Sequence, residues 1–491
     1  MTALLPGLVL LPLIAGGLAA LFRSHGRWIT LTAGLGMLVM LVLLSIDAWG
    51  VGQYQGLWAL GGWERPLAIA WYLDDLAHLM LLLVGLVSLA IMAYAWFDTE
   101  TSAHFWGLWL GGWGAMNALI LSSDLFNIYV TIELLGLVAV ALVALSTKAG
   151  AAAAAMRYLI ISLTGSMFFL LGVALIYGQY GRLDLIGLAE VVEHNWVTHL
   201  AWSMMLLGLL AKTAAWPLHG WLPLAHGRAP TAASALLSAL VIKASFYLMW
   251  RFGVGPFAAL GNELIALLLA LLGTMAIFWG SWRAWKTPLL KELIAWSTVA
   301  QIGYLLIGLA ILLHPQSILT VTDQFNPSLL LFWLIAAHAL TKAGLFLVAG
   351  NLILLTHSYQ LKDQLAVLCN SPLTLWTLGL GSVALAGLPL TLGFIGKWWL
   401  IESSVALGQF WLLAPLILGG VFTLAYMGRL LQPALEQRLL CQFAPKQADG
   451  RPAECISDRQ LAWPLLAVPF ILVLSVWVLA LFPLYPWGAT L

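Results

Sequence analysis

The stretch LAKTAAWPLHGWLPLAHGRAP occupies residues 210–230 and interrupts an apolar run that would otherwise form one continuous helix. It places Lys212 shortly before Pro217 and Pro223. Proline lacks a backbone N–H and clashes with the preceding turn, so a helix breaks or kinks where it occurs. A break beside a lysine inside an apolar run is typical of a transport site and not of a simple hydrophobic span.

The same combination recurs in LAGLPLTLGFIGKWW, residues 385–399, where Gly387, Pro389 and Gly393 precede Lys397. Backbone without hydrogen-bond partners is tolerated at membrane depth only inside protein or beside a water-filled cavity. Interrupted helices at corresponding positions of two halves are typical of inverted repeats with sites at the breaks. We therefore expect two related halves, each with a lysine beside its break.

Composition indicates an integral membrane protein. Of the 491 residues, 62% are hydrophobic and 8% are charged, and the mean hydropathy is +0.98. Average globular chains carry about a quarter charged residues, so this chain cannot cover a water-soluble surface of its size. Its 26 tryptophans are consistent with a membrane protein, because indole rings are enriched at membrane interfaces. A net charge of +1 gives no indication of a nucleic-acid partner or an acidic substrate.

The sequence carries no cofactor or metal signature. Cys369, Cys441 and Cys455 are scattered without a Cys-x-x-Cys pair and indicate neither a disulfide framework nor an iron–sulfur site. Neither a dinucleotide-binding glycine motif nor a P-loop is present. The first apolar stretch, residues 4–22, lacks a basic leader and a cleavage site, so we expect a membrane helix there. We expect no catalytic residues, no cofactor and no metal on this chain.

The fold class expected is an all-α integral membrane protein. A span needs about 20 mostly apolar residues, and the sequence contains about fourteen such segments. The longest connections are residues 49–75 and 429–460, so no soluble domain is expected. The predicted spans 1 to 14 are 3–22, 28–48, 76–97, 104–122, 124–146, 154–178, 198–216, 231–251, 256–280, 292–313, 328–354, 372–404, 407–428 and 461–483.

Basic residues concentrate in alternate loops, which sets the orientation. On one side of the membrane the loops hold fourteen basic residues, whereas the loops on the opposite side hold only Arg65, Arg182 and Arg251. Such a bias places the basic side in the cytoplasm, with both termini outside an inner, or cell, membrane. The fourteen basic residues of the richer side are Arg23, Arg27, Lys148, Arg157, Arg228, Arg283, Lys286, Lys291, Lys362, Arg429, Arg438, Lys446, Arg451 and Arg459.

The two breaks fall in predicted spans 7 and 12, five spans apart. An odd offset inverts the topology, so spans 4–8 and 9–13 are the predicted inverted five-helix repeats. The chain then divides into N-terminal spans 1–3 (1–100), a first repeat (104–251), a second repeat (256–428), and a cytoplasmic loop with span 14 (429–491).

Ionisable residues at membrane depth are the main functional candidates. A central lysine or aspartate costs about 2.5–3.5 kcal/mol on insertion scales, so such residues usually face a bundle interior or a water cavity. Glu133 lies nine residues after Asp124, roughly 13 Å along the helix and near mid-depth. Lys243 is also central in its span, and His338 lies four residues before Lys342, on the same helix face.

Structural alternatives exist for each of these positions. A lysine near a helix end can extend to the headgroups, and a buried ion pair can simply hold helices together. A lone His338 would more commonly be a core histidine, and Asp124 could serve only as the N-cap of span 5. Glu263 and Glu402 lie near predicted span ends and are expected to be solvated or rim charges.

Five stretches together carry a family likeness. The chain resembles the proton-conducting, antiporter-like subunits found in respiratory complex I, membrane-bound hydrogenases and Mrp-type cation/proton antiporters. The likeness runs from about span 3 to span 13, and DLFN followed by YVxxE looks most like the D-type Mrp subunits. The stretches are DLFNIYVTIEL (124–134), the region 211–251, KELIAWSTVAQIGY (291–304), AHALTKAGLFLVAG (337–350) and LAGLPLTLGFIGKWW (385–399).

The resemblance implies a proton relay of six residues. Glu133 and Lys212 match the family's glutamate–lysine pair, in which the carboxylate modulates the proton affinity of the lysine. Lys243 matches the central relay lysine. The remaining positions implied are His338 and Lys342 in span 11 and Lys397 in the second broken span, with Asp124, His219 and His226 as candidate accessory residues.

The sequence departs from the family pattern at two places. Leu224 stands where the family often has the aspartate of a WLPDAH motif. Residues 289–292 are Leu-Leu-Lys-Glu where the family often has Asp-x-Lys-Arg. Neither position belongs to the proposed relay.

The function expected is that of a proton-translocating subunit of a larger membrane complex, with Mrp-type monovalent cation/proton antiport as the first hypothesis. Three alternatives are an antiporter-like subunit of a redox-driven complex, the membrane subunit of an inorganic-carbon uptake system, and a structural scaffold with an inactive relay. We expect other membrane subunits, protons and sodium or potassium ions as partners within the lipid bilayer. The chain is expected to be a transporter subunit and not an enzyme.

Overall fold

A computed structural model describes residues 4–51, 56–59, 69–260, 263–315, 327–368, 371–440 and 458–481, and this part of the chain is almost entirely helical. Cys369, Cys441 and Cys455 lie outside these residues, as does most of the predicted loop 429–460. The helices are α1 Leu5–Leu21, α2 Gly26–Val51, α3 Asp75–Phe97, α4 Phe105–Leu121, α5 Leu125–Ala144, α6 Ala151–Tyr180, α7 Leu185–Val191, α8 Trp196–Lys212, α9 Leu222–Arg228, α10 Thr231–Leu236, α11 Ile242–Val254, α12 Glu263–Lys286, α13 Leu290–Leu313, α14 Pro327–Thr356, α15 Leu361–Val367, α16 Pro372–Ala386, α17 Leu392–Ala406, α18 Leu413–Leu440 and α19 Trp463–Leu481.

Ten helical segments in the described residues are long and apolar enough to cross a bilayer. The helices α1 and α16 are apolar but shorter. Large apolar side chains are exposed on the outer helices, for example Met167 on α6, Leu268 on α12 and Val421 on α18. Such a surface suits lipid and not water, so the expectation of a multi-span helical membrane protein is confirmed.

Three segments form the centre of the bundle and are covered on nearly all sides. The segments 231–254 and 327–356 are buried along their whole apolar length, and 290–313 is buried along almost all of it. A helix that is apolar all round belongs inside a bundle. The ionisable residues that interrupt these apolar segments are therefore held in the protein interior and not in lipid.

Hydrogen bonds join helix ends and loops on each side of the bundle. On one side, which we call the basic side, Arg429 donates to Thr287 O at 3.3 Å and Leu361 N donates to Pro288 O at 2.9 Å. On the other side, the far side, Ser123 N donates to Ala70 O at 3.1 Å. The far side also carries an antiparallel hairpin of β1 (Gly56–Ala59) and β2 (Ala70–Leu73).

Both helix interruptions expected from the sequence are present in the structure. The helix α8 ends at Lys212, and helical structure resumes in a short 3₁₀ turn at Leu218–Trp221 and in α9. The helix α16 ends at Ala386, followed by Gly387 with a φ of +74°, and α17 begins at Leu392. Each interruption exposes backbone groups that a continuous helix would bond internally.

Several boundaries differ from the sequence prediction. The sequence predicts span 9 at 256–280, but α12 runs from Glu263 to Lys286, because Pro256 ends the preceding helix and residues 258–260 form a 3₁₀ turn. The assignment of Arg251 to a far-side loop is wrong, because α11 continues to Val254 and buries it. The assignment of Lys291 to a basic-side loop is wrong as well, because α13 begins at Leu290 and buries it.

The close approach of α6 and α8 depends on two glycines. A Cβ atom on Gly165 would lie 2.8 Å from Gly208 O, and a Cβ on Gly208 would contact Gly165 O in the same way. One turn away on the same two helices, Lys212 Nζ donates to Ser162 Oγ at 3.0 Å. The glycine contact therefore sets the position of Lys212 relative to α6.

We expect Gly208→Ala to destabilise the protein by about 1–3 kcal/mol, the usual cost of overpacking a close-packed interface. The added Cβ forces α6 and α8 apart, so the thermal midpoint of the detergent-solubilised protein should fall and transport should weaken. Gly178→Ala on α6 is the matched control, because nothing lies within 4 Å of its added Cβ. Equal effects of the two substitutions would contradict this role of the glycine contact.

Candidate functional site

Glu133 on α5 and Lys212 on α8 form an ion pair inside the bundle. Lys212 Nζ donates to Glu133 Oε1 at 2.8 Å and to Ser162 Oγ at 3.0 Å. The side chain of Lys212 is 7% exposed and that of Glu133 is 16% exposed. The carboxylate thus reaches the edge of the bundle, while the ammonium lies at the C-terminal end of α8, where the helix dipole favours a positive charge.

Lys243 lies in the fully buried centre, beside a distortion of its own helix. Residues 237–241 form a π-helical segment between α10 and α11. Lys243 Nζ donates to Ser238 O within this segment, and Ser238 Oγ lies 3.1 Å from Thr298 Oγ1 on α13. Single π-helical turns inside α-helices are frequent at functional sites, because they change the backbone groups that are available for hydrogen bonding.

Lys342 on α14 reaches across to α13. Its Nζ donates to Ile294 O at 2.8 Å and also to Ser297 Oγ. The side chain is fully buried. Ile294 O also accepts a hydrogen bond from Thr298 Oγ1 at 3.1 Å, so the lysine is an additional donor to a carbonyl group in the first turns of α13.

Lys397 on α17 binds the end of the interrupted helix α16. Its Nζ donates to Leu385 O at 3.1 Å and to Ala386 O at 2.9 Å, and lies 4.1 Å from the ring centroid of Tyr304. The last carbonyl groups of a helix have no partner within it, and the helix dipole makes this end negative. The second helix break therefore supplies the acceptors that hold this lysine.

A small cavity joins His338 to Lys397. It has a volume of about 10 Å³, and its lining includes Gln301 and Thr341. That volume is close to the minimum that holds one water molecule. Neither the ring nitrogens of His338 nor the hydroxyl of Thr341 have a hydrogen-bond partner among the described residues. Buried polar atoms are normally bonded, so a water molecule bound here would satisfy them.

Uncharged acceptors distinguish the central lysines from Lys212. In the part of the chain that the structure covers, Lys243, Lys342 and Lys397 have no carboxylate within 4 Å, whereas Lys212 has Glu133. A buried ammonium needs compensation, here from carbonyl and hydroxyl groups alone. These three lysines therefore differ from structural ion pairs, the main alternative interpretation of buried charges.

The structure adds a buried lysine that sequence analysis missed. Lys291 Nζ donates to Ala229 O and to Thr231 Oγ1, both at 3.2 Å, at the basic-side end of the bundle. Asp98, buried just beyond α3, interacts with it electrostatically. Burial raises the pKa of Asp98, and the charge of Lys291 opposes this shift. The one feature of the sequence that could have indicated a role for Lys291 is that it occupies the position of the lysine in the family's Asp-x-Lys-Arg motif.

The three accessory candidates occupy different settings. Asp124 is the N-cap of α5 and accepts a hydrogen bond from Asn127 N at 2.8 Å, so its geometry is that of a cap. His219 packs edge-on against Trp296. His226 is fully buried against Phe346, and neither of its ring nitrogens has a partner among the described residues.

A family model described as NADH:quinone oxidoreductase/Mrp antiporter, transmembrane, matches residues 122–423, more than half of the chain. The chain belongs to this family. The matched region contains every residue of the six-residue relay predicted from the sequence. The family resemblance inferred from five motifs is confirmed, and the chain is an antiporter-like membrane subunit.

Two relatives of the chain are named as subunits of two different kinds of complex. NADH-quinone oxidoreductase subunit N of Desulforudis audaxviator is 31% identical over 434 residues, which cover 86% of this chain and 84% of the relative. The D-type subunit of the Na(+)/H(+) antiporter of Alkalihalophilus pseudofirmus is 27% identical over 432 residues, 85% of this chain and 84% of the relative. The first of these values shows the family membership independently of the family model, and relatives from both kinds of complex cover more than four fifths of the chain.

The same fold occurs in a solved member of a multisubunit assembly. One protein chain in the structure of the Mrp complex from Dietzia sp. DQ12-45-1b superposes with a TM-score of 0.82 and 23% identity, covering 98% of this chain and 94% of that chain. At this identity the likeness concerns the fold alone. It extends over the whole helical bundle and is not confined to the central helices.

Proposed function

We propose that this chain is a proton-translocating subunit of a multisubunit complex in the cell membrane, and that the complex exchanges monovalent cations for protons. The observation that supports this is the Glu133–Lys212 ion pair at one end of a set of buried lysines with uncharged acceptors. The name of the relative from Alkalihalophilus pseudofirmus, a Na(+)/H(+) antiporter component, supports the cation/proton reaction.

In this proposal Lys243, Lys342 and Lys397 pass protons laterally through the bundle. A lysine held by carbonyl and hydroxyl groups can lose its proton without leaving a carboxylate unpaired. Lys212 cannot do so, because loss of its proton would leave the negative charge of Glu133 without a counter-ion. The pair therefore acts as a switch: when Glu133 moves away or is neutralised, proton retention at Lys212 is weakened. Water in the cavity beside His338 would bridge this residue to Lys397.

A second candidate is the same relay in a redox-driven complex. The 31% identity to an NADH-quinone oxidoreductase subunit N supports it. Electron transfer would then take place on partner chains and drive protons through this one, so the chain itself acts as a transporter subunit in both cases. Either complex would supply additional membrane subunits as partners.

Purification of the chain together with the subunits that accompany it tests these two candidates. If the chain belongs to a cation/proton antiporter, addition of sodium or potassium should change the internal pH of membrane vesicles that contain the complex. A requirement for an electron donor would favour the redox-driven complex. Absence of proton movement under both conditions would contradict the proposed function.

We propose fourteen membrane spans for the architecture. The ten long helical segments, together with α1, α4, α8 and the interrupted pair α16–α17, correspond to the fourteen predicted segments. The two interruptions support inverted repeats of five spans, 104–251 and 256–428, between N-terminal spans (1–100) and a final region (429–491). The basic side would face the cytoplasm, with both termini outside.

Protons would reach the central lysines from the basic side. His226 is buried near that end, with unpartnered ring nitrogens among the described residues, and Lys291 occupies the adjacent end of α13. His219 lies in the same interrupted segment, whereas Asp124 caps a helix on the far side and takes no part in this access. We assign these histidines and Lys291 to the access region and not to the lateral relay.

The isolated chain should show little transport. Small side chains such as Ala152 and Ala153 lie exposed on α6, next to the large exposed Met156, and surfaces of this kind allow close packing of a partner helix. We expect proteoliposomes with the single chain to show at most about a tenth of the exchange rate of the assembled complex, since lost coupling of about 1.4 kcal/mol already costs tenfold. Full exchange by the single chain would refute the dependence on partners.

A further inference from the structure

Arg251 lies on the same helix as Lys243, two turns closer to the far side. Lys243, Tyr247 and Arg251 are spaced by four residues along α11 and so follow one helix face, with about 12 Å between the first and the last. An arginine near the end of a membrane helix normally extends to the headgroups. Arg251 instead points into the bundle and is 9% exposed.

Three groups fix the guanidinium. Arg251 Nη1 donates to Tyr247 Oη at 2.6 Å and forms an ion pair with Asp74 at 3.1 Å. Asp74 is also the N-cap of α3, where it accepts a hydrogen bond from Ala77 N at 2.8 Å. The ring of Tyr72, on strand β2, lies 5.5 Å from the guanidinium carbon. The cluster therefore joins α3, α11 and the far-side hairpin.

The hydrogen bonds of this cluster do not form a proton wire. A group in such a wire must both accept and donate, and an arginine has donors only. Arg251 donates to Asp74 and Tyr247, and Tyr247 Oη donates onward to Ile120 O at 3.0 Å. Hydrogen-bond donation therefore runs outward from the guanidinium along two branches. One branch ends at the carboxylate of Asp74, and the other ends at the backbone carbonyl of Ile120. A proton arriving at Asp74 cannot be passed along it to Lys243.

We propose that Arg251 is a charge barrier that prevents protons of the far side from reaching Lys243 directly. The inference rests on the proposed function, because a barrier matters only if Lys243 carries protons. A guanidinium cannot release its proton near neutral pH, so it repels cations and protons at this position, although Asp74, whose side chain is 29% exposed, compensates part of its charge. Protons must then leave the central lysines by the lateral relay, as coupled transport requires.

We expect Arg251→Gln to make the complex leak protons. A unit charge at about 12 Å, acting through an effective dielectric constant of about 20, slows the arrival of a proton about tenfold, so its removal should raise the passive leak about tenfold. The leak is measured in membrane vesicles that contain the full chain with its accompanying subunits. The membrane potential that drives the protons is set with a gradient of a membrane-permeant organic ion, so that no gradient of sodium or potassium is present, and an enclosed pH-sensitive dye reports the protons.

Arg182→Gln is the matched control. Arg182 also lies on the far side and forms an ion pair, with Asp184 at 2.9 Å, but it lies in a loop and shares no helix face with a relay lysine. Its substitution should leave the leak unchanged. Arg251→Lys, which keeps a positive charge, should leak much less than Arg251→Gln.

The double variant Arg251→Gln/Lys243→Ala separates a specific leak from a damaged fold. If the barrier protects Lys243, the second substitution should return the leak to the wild-type rate. A leak that persists in the double variant, or no leak in a folded Arg251→Gln protein, would overturn the proposal. Lys243→Ala alone reports on the proposed function, because full driven transport in that variant would refute the relay at Lys243 whatever the leak.

Discussion

Lys243→Arg is expected to stop driven proton transport as completely as Lys243→Ala. Arginine keeps the positive charge but cannot release its proton near neutral pH, whereas lysine can. If Lys243 is a relay station, both variants should lower transport by at least about a hundredfold, the usual contribution of a group that accepts and donates a proton. The measurement is the initial rate of pH change in vesicles energised by a cation gradient or an electron donor.

Size is a competing explanation for failure of the arginine variant, since Lys243 is fully buried and its Nζ is already within hydrogen-bond distance of Ser238 O. Lys243→Met fills nearly the same volume without a charge and should fold, assemble and fail in transport. Lys286→Arg is the matched control, because Lys286 is exposed and its Nζ lies over the ring of Trp282. This variant should transport normally. Wild-type rates in Lys243→Arg would show a fixed charge and not a relay.

Most helices could be predicted because the apolar segments are long and the breaks are marked by proline and glycine. Lys212 and Lys397 were both located beside breaks, and the structure shows α8 ending at Lys212 and α16 ending eleven residues before Lys397. Motif resemblance paired Glu133 with Lys212, and the structure brings them to 2.8 Å. Depth and motif together were sufficient to place these residues.

Arg251 and Lys291 were assigned incorrectly for a common reason. A charged residue close to the end of an apolar segment is counted with the loops, because the sequence does not show how far the helix continues. Here α11 continues three residues beyond Arg251, and α13 begins one residue before Lys291. Their burial depends on Asp74 and Thr231, which come from other parts of the fold far away in the sequence. Local sequence carries no record of such partners.

The π-helical turn beside Lys243 could not be predicted either. Residues 237–241, LSALV, are ordinary for a membrane helix and contain neither proline nor glycine. The distortion brings Ser238 O to Lys243 Nζ and places Ser238 Oγ next to Thr298. Contacts between α10–α11 and the neighbouring central helices therefore determine it, and these contacts exist only in the folded bundle.

Glu133→Ala should abolish driven transport while the protein still folds and inserts. Lys212 would keep only Ser162 Oγ as a partner, and breaking a buried ion pair in this way costs about 3–5 kcal/mol because one charge is left uncompensated. The carboxylate that responds to the state of Lys212 is also lost. The assay is the pH change in energised vesicles, with assembly checked by the amount of chain that copurifies with its accompanying subunits.

Glu133→Gln and Glu133→Asp distinguish charge from shape. Glutamine keeps the size and can still bond Lys212, but it supplies no negative charge, so it should fail like alanine. Aspartate keeps the charge at a slightly greater distance, which a water molecule can bridge, and should retain part of the activity. Glu402→Gln is the matched control: Glu402 is an exposed carboxylate on α17 that accepts a hydrogen bond from Trp398 Nε1 at 2.5 Å, and it should transport normally. Full activity of Glu133→Gln would mean that the pair holds α5 and α8 together without switching, since a neutral amide can serve as a tether but cannot change the charge felt by Lys212.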